Sequence, residues 1–565
     1  MQLPLREPMP VLTAANLVRL QREVDIPTAP AARLDVPAKA LFVTPESTDF
    51  LQAGGLGEVS AALPRALRPG CDARVLIPAY RPALRDVAAI DIVAHLPGAG
   101  AIPPCSIGAL TLPDGLVVYL VLCSELYDRD GSPYADSAGN EFADNAIRFG
   151  RLSLAAAELA MRGLNGWRPD VLHLNDWPTA LAAGYLRWRG GKTQTVLTIH
   201  NLAHQGQFDA SRIDDLAIPK SAFRLDGVEF YGRISFLKAG IVYADHVSTV
   251  CATYAGEIAR PEFGCGLNGL LAERANQGRL TGIRNGVDAS WDPRADKRNP
   301  YRFDAHRWKE RYADYVRGAF GLSLSAGPLF AFVARLVHQK GFDLVLEASE
   351  TIVARGGQIV IVGRGEPEYE RATAELARRH PHAFGARIGF NPEEARAVFA
   401  GADFLLMPSR YEPCGLSQMY AQRFGALPIG HRTGGLAETI EAGRTGFLFD
   451  RLDIAALDDA IDDAFAVFGA PLELQAMRRA AMAKDFGWAE SASAYASLYR
   501  KLGETRREKP APEPAKPAPR PTAKRPAPRI VDEDFAAAAS RSDARALQRL
   551  AAAAAASIAR RPPRG

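Results

Sequence analysis

The feature that most narrows the fold is a repeated alternation. From Lys39 onward, short and nearly continuous apolar runs ("ALFVTPE", "ARVLIPAY", "LVVYLVL", "DVLHLND", "TVLTIHN") alternate with longer helical patterns such as "EVSAALPRALR" and "AIRFGRLSLAAAELAMRGL". A run that is apolar throughout suits a strand buried on both faces, as in a parallel sheet covered by helices. The pattern therefore predicts βαβ units. It breaks across about 290–326, where Asp, Pro, Arg, Tyr and Ser/Gly dominate. It then restarts with "LFAFVARL", "QIVIVGRG", "ARIGF", "FLLMPS", "ALPIGHRT" and "GFLFD". Two Rossmann-like, doubly wound parallel-sheet α/β domains facing a central cleft are expected, because ligands of such sheets gather at the carboxyl ends of the strands.

The expected boundaries are an N-terminal extension over 1–38, a first domain over 39–290, a linker over 291–326, a second domain over 327–485, a C-terminal helix over 486–502 and a tail over 503–565. The extension carries one short amphipathic segment, "VLTAANLVRLQREV". The tail, with "KPAPEPAKPAPRPTAKRPAPR", reads as extended and disordered, with a short Ala-rich helix at 543–560. A net charge of +4 over 565 residues points to neither nucleic acid nor an anionic membrane as partner. No run of 18 apolar residues and no signal-peptide core is present. The six cysteines are scattered without a CxxC pair, which suits small core residues in a reducing compartment. A cytoplasmic protein is expected.

Four constellations fall at predicted strand ends. The loop "LQAGGLGEV" places Gly54, Gly55 and Gly57 between a strand and a helix, where backbone and helix N-terminus can approach a phosphate. The bland alternative is a plain turn. "HLNDWP" and "TIHN" end buried runs with His173, Asn175, Asp176, His200 and Asn201. Singly, each is an ordinary satisfied core residue; together, at adjacent strand ends, they suggest a site. Their spacing matches neither a nucleophile elbow nor a zinc-binding HExxH. "VARLVHQKG" puts Arg335 and Lys340 before a helix, as a diphosphate clamp or as two solvated charges. "PSRYEPCGLSQMYAQRFG" sets Glu412 between strand and helix, and "HRTGGLAETI" adds the loop Thr433-Gly434-Gly435. A carboxylate there can bind sugar hydroxyls or stabilise charge at an anomeric carbon, although a helix dipole alone would also favour it.

Taken together, the chain resembles bacterial glycogen synthases and plant starch synthases, retaining glucosyltransferases of the GT-B class. The resemblance runs in family order over about 39–502 through "AGGLGEVSAALPRAL", "YDRDGSPY", "DVLHLNDW", "TIHNLAHQGQF", "FLKAGIVYADHVSTV", "IRNGVD", "QKGFDLVLEA", "SRYEPCGLSQMYA" and "RTGGLAETI". It implies glucose transfer from ADP-glucose to the 4-hydroxyl at the non-reducing end of an α-1,4-glucan such as glycogen, with no cofactor and no metal. The implied catalytic residues are Glu412, His200, Arg335 and Lys340. By the same resemblance Arg335 and Lys340 neutralise the departing diphosphate, Glu412 lies beside the donor glucose, and His200 and Asn201 approach the sugar. Asp176 and Tyr134 line the cleft, and the Gly434–Gly435 amides with Thr433 complete the phosphate site. Gln52, Gly54, Gly55, Asn285, Cys414, Gly415 and Leu416 are the remaining implied substrate-binding positions.

Three residues depart from the family pattern. Gln52 stands where the family has lysine, Glu58 where it has aspartate, and Pro178 where it often has histidine. Losing a charge-assisted phosphate contact removes about 1.5–3 kcal/mol, or roughly 10- to 100-fold in donor use. Alternative readings are therefore a related transferase with another donor or acceptor, and a catalytically weakened homologue that binds glucan or partners through its tail.

Overall fold

The computed structural model describes residues 38–508 apart from 82–83, 85–89, 295–306 and 390. The expected N-terminal extension, the disordered tail beyond Glu508 and the helix at 543–560 lie outside the described residues. Every apolar run quoted above contains a strand. In chain order these begin with β1 (Ala38–Val43), β2 (Cys71–Pro78), β3 (Asp91–Leu96), β4 (Cys105–Thr111), β5 (Val117–Leu122), β6 (Val171–Asn175) and β7 (Gln194–Ile199). A small antiparallel sheet follows, made of β8 (Gln207–Asp209), β9 (Glu229–Phe230) and β10 (Arg233–Ser235). Next come β11 (His246–Thr249) and β12 (Leu280–Gly282).

The first large sheet has the order β12-β11-β7-β6-β1-β2-β5-β4-β3. It is parallel from β12 to β5, but β5, β4 and β3 pair antiparallel. The expected all-parallel sheet is thus corrected at one edge. The reason is connection length: no helix separates β3, β4 and β5, and only antiparallel strands close over short links. β3 is largely exposed, so it carries no continuous apolar run that could have announced it.

The second sheet comprises β13 (Leu329–Val333), β14 (Gln358–Gly363), β15 (Phe384–Ile388), β16 (Phe404–Met407), β17 (Leu427–His431) and β18 (Phe447–Phe449). Its order is β15-β14-β13-β16-β17-β18, parallel throughout. Strand order reverses beside β1 in the first sheet and beside β13 in the second. Crevices at such switch points take ligands, and the loops after these strands carry the residues singled out above.

Two segments depart from the expected boundaries. Within the expected linker, Trp308–Ala319 is a helix that packs on the helix Pro392–Gly401. It buries Trp308, Tyr312, Ala313 and Val316, a helical stripe hidden by a polar composition. The C-terminal helix, Ala489–Glu508, runs past the expected end at Leu502. It follows the second sheet in sequence but packs on the first, where Trp488, Tyr495, Tyr499 and Leu502 share a core cluster with Phe42, Val59, Leu63 and Val196.

At the centre of that contact His173 is wholly buried. Its Nδ1 lies 2.7 Å from the Tyr499 hydroxyl and its Nε2 lies 2.6 Å from Thr198 Oγ1. Burial lowers its pKa to about 3, so the ring is neutral. His173 is therefore a core residue that docks the helix. Tyr499→Phe leaves Nδ1 without this hydroxyl, and we predict a loss of about 1–3 kcal/mol in urea unfolding followed by circular dichroism.

Candidate active site

The glycine-rich loop is organised by a residue outside it. Glu46 follows β1 and is buried. Its Oε2 accepts the N–H groups of Ala53 at 2.6 Å and Gly54 at 2.9 Å, and its Oε1 accepts the Tyr134 hydroxyl at 3.0 Å. Desolvation raises the Glu46 pKa, and these donors oppose the rise. Two of the loop amides are thereby occupied. Gln52 donates from Nε2 to the Gly54 carbonyl at 3.1 Å. Its side chain also crosses Gly57, where an added Cβ would meet Gln52 Cγ at 2.8 Å. Glu58 has its pKa raised by burial and by Asp288, while Arg396 and a hydrogen bond from Gln52 act against the rise. The glutamine at the loop mouth is thus engaged with its own loop.

The β6 and β7 ends form a second cluster. Asp176 has φ 55°, a left-handed backbone that a non-glycine residue adopts at a cost of about 1–3 kcal/mol. Its Oδ1 accepts the N–H groups of His200 at 2.7 Å and Asn201 at 3.4 Å, which holds the β7 loop against it. Desolvation pushes the Asp176 carboxyl up to about 7. Asn175 donates from Nδ2 to the Val43 carbonyl at 2.9 Å, so its Oδ1 is the acceptor facing His200 Nε2 at 3.0 Å. Nε2 therefore carries the imidazole proton and Nδ1 remains an acceptor. Burial lowers the His200 pKa to about 3, so the ring stays neutral in the physiological range. Pro178 opens the helix Trp177–Trp188, where a missing N–H is no loss.

In the second sheet Lys340 and Glu412 form an ion pair, Nζ to Oε2, of 2.6 Å. Ser409 donates its hydroxyl to the same oxygen at 3.0 Å. Arg335 is exposed and reaches Gln339 Oε1 at 3.2 Å. Burial, and after it the Arg335 charge on the other lobe, lowers the His204 pKa to about 4. Gly55 and Leu416 meet across the cleft: a Cβ on Gly55 would lie 3.6 Å from Leu416 Cδ1. Asn285 and Cys414 are both buried, the Asn285 N–H bonds toward the Cys414 sulfur, and burial pushes that thiol up to about 12. Gly415 takes φ 72° at the turn into the following helix. The Gly434 N–H donates to Glu257 Oε1 at 2.9 Å and the Gly435 N–H donates to the Glu412 carbonyl at 2.9 Å. Thr433 donates its hydroxyl to the same Glu257 oxygen at 3.0 Å. The amides expected at a phosphate are thus engaged by protein oxygens in this structure.

Two facing α/β lobes with polar strand ends and a paired cation at the cleft suit an enzyme of phosphorylated substrates, and the relatives of the chain make that enzyme a glycosyltransferase. Residues 39–273 match the starch synthase catalytic domain and residues 327–466 match the glycosyl transferases group 1 domain. The chain is 54% identical over 467 residues to a glycogen synthase of Pseudomonas syringae pv. syringae, covering 82% of this chain and 96% of that protein. It is 56% identical over 470 residues to the glycogen synthase of Xanthomonas euvesicatoria, covering 82% and 92%. The catalytic domain of starch synthase IV from Arabidopsis thaliana, bound to ADP and acarbose, superposes with a TM-score of 0.74 at 28% identity, covering 83% of this chain and all of that one. The chain belongs to the glycogen and starch synthase family.

Sequence reasoning missed Glu46, Ser409 and Glu257. Glu46 and Ser409 lie inside quoted segments, at strand ends, and that position was the available signal. Glu257 sits near the end of a short helix, Ala252–Ile258, and has none.

Asp176 yields a pH prediction. A carboxyl whose pKa rises from 3.8 to about 7 on folding adds stability that is complete below 3.8 and lost as the pH climbs through 7. His200 acts oppositely, since its depressed pKa makes stability fall as the pH drops from 6.5 toward 3. Comparison with Asp176→Asn isolates the first effect. We predict that wild-type unfolding free energy declines relative to this variant by about 2–4 kcal/mol between roughly pH 4 and 7, measured by denaturant titration at each pH.

Proposed function

We propose that this enzyme transfers glucose from ADP-glucose to the 4-hydroxyl at the non-reducing end of an α-1,4-glucan such as glycogen, with retention at the anomeric carbon. One observation carries the reading. The Lys340–Glu412 pair and the exposed Arg335 border one cleft, with the Glu46-pinned glycine loop opposite. The ADP in the related starch synthase structure supports an adenine nucleotide as leaving group. We assign the acceptor side to 39–290, the donor side to 327–485 and the reaction to the cytoplasm.

In this mechanism the bond from the anomeric carbon to the diphosphate breaks and a bond to the acceptor O4 forms on the same face. The hydroxyl proton leaves with ADP. Arg335 and Lys340 meet the charge developing on the diphosphate, fixed in place before the reaction. Glu412, held by Lys340 and Ser409, flanks the sugar ring. Neutral His200 accepts a sugar hydroxyl at Nδ1. Gln52 stands in place of the family's lysine with its amide engaged by Gly54 and Glu58, and Glu58 would draw a lysine away from the donor.

A panel of nucleotide sugars with glycogen as acceptor tests the reading. ADP-glucose is expected to label glycogen fastest, and no labelling from ADP-glucose at any concentration overturns it. Gln52→Lys should change kcat/KM for ADP-glucose by less than about tenfold, because the position is already engaged with Gly54 and Glu58. A gain approaching the full 100-fold of a restored phosphate contact would favour the weakened-homologue reading instead.

A further inference from the structure

The segment that presents Glu412 is held from behind by the other lobe. Glu257 lies on the helix Ala252–Ile258, which follows β11 of the first sheet, and it is buried. Its Oε1 accepts both the Thr433 hydroxyl at 3.0 Å and the Gly434 N–H at 2.9 Å. Its Oε2 is buried with no hydrogen-bond partner among the described residues, an expensive arrangement for a carboxylate. The contact is reciprocal: Glu438, on the helix Gly434–Thr439 of the second lobe, accepts the Thr253 N–H of the first.

From Glu257 the constraint passes directly to the site. Gly434 has φ +43°, and a Cβ there would fall 1.9 Å from the Glu412 carbonyl oxygen. The next residue, Gly435, donates its N–H to that same carbonyl at 2.9 Å, and its Cβ would fall 1.9 Å from the Cys414 carbonyl. Backbone thus lies on backbone, with no side chain between to absorb a shift. A displacement of Gly434 moves Glu412, and with it the Lys340 contact.

We propose that Glu257 is a positioning residue for glucosyl transfer, acting through Gly434 and Gly435 on Glu412. It clasps the two lobes so that the donor-side carboxylate is set by the acceptor-side lobe. In this arrangement the Gly434–Gly435 pair serves by its position, and the phosphate charge is left to Arg335 and Lys340. The inference rests on the function proposed above for its kinetic consequence, although the clasp itself does not.

Glu257→Ala, Glu257→Gln and Thr433→Val test it. The glutamine keeps an oxygen that can accept both donors, whereas alanine removes it. Glu257→Ala is expected to lower kcat with ADP-glucose and glycogen by about 10- to 100-fold and leave KM for glycogen within about threefold, with Gln near wild type and Thr433→Val between. Amide hydrogen exchange at Gly434 and Gly435 should quicken by about tenfold or more in Glu257→Ala. It should stay near wild type in Glu257→Gln, and the Ala53 and Gly54 amides held by Glu46 should not change. Wild-type kcat and exchange in Glu257→Ala overturn the proposal, as does a Gln variant as damaged as Ala. If alanine does not fold, the Gln and Val variants still decide it. If the wild type does not use ADP-glucose, the proposed function fails, while the exchange measurements still decide the clasp.

Discussion

A carboxylate withdrawn from water must be met by donors or lose its charge, and four buried or partly buried carboxylates shape this cleft on that rule. Glu46 takes the amides of the glycine loop, Asp176 those of the β7 loop, and Glu257 the Gly434 amide of the opposite lobe. Glu412 takes an ammonium and a hydroxyl. Each one pins a loop that would otherwise be free to move at a strand end. The loops at Gly54–Gly57 and Gly434–Gly435 are glycine-rich and have little intrinsic stiffness, so their shape comes from these contacts rather than from local propensity.

This arrangement settles where positive charge is available. Lys340 is already paired at 2.6 Å, while Arg335 keeps an exposed guanidinium. A partly buried ion pair is a poor source of stability, because desolvation offsets most of its attraction. Its value here is preorganisation. The ammonium and the carboxylate are both held before a substrate arrives, so little reorganisation is left to the moment when charge develops. On the proposed function, an incoming diphosphate would compete with one carboxylate for the lysine and meet the arginine without displacing a carboxylate from it.

The fold was legible where burial is two-sided. β1, β2, β5, β6, β7 and the strands of the second sheet all overlap apolar runs, because burial on both faces favours apolar residues along most of each strand. The exposed edge strand β3 and the helix at Trp308–Ala319 were not legible, since half-exposed elements dilute the pattern. Lys340, Glu412, Asp176 and His200 are candidates because strand-end position and motif coincide, and the structure places each of them in the segment that follows a strand end. What those motifs could not convey is which groups they meet. Gly434 is 177 residues from Glu257, and Lys340 is 72 residues from Glu412. His173 shows the converse: it sits among candidate polar residues but points away from the cleft, because the C-terminal helix returns 326 residues later to cover it.

The departures at Gln52 and Glu58 make physical sense as a pair. Burial raises the Glu58 pKa, and the like charge of nearby Asp288 adds to the rise. Two features work against this. Arg396 supplies a guanidinium, itself stacked 3.9 Å over the Trp291 ring and bonded to the Ser290 hydroxyl at 3.1 Å. Gln52 supplies a neutral donor. A lysine at 52 would lie beside Glu58, and a contact ion pair at ε near 20 is attracted by about 4 kcal/mol before desolvation, enough to compete with a phosphate contact of about 1.5–3 kcal/mol. A longer acid at 58 therefore lowers the worth of a lysine at 52. If Arg335 and Lys340 supply charge from the opposite wall, as proposed, the loop's remaining task is shape, which Glu46, Gln52 and the glycines provide.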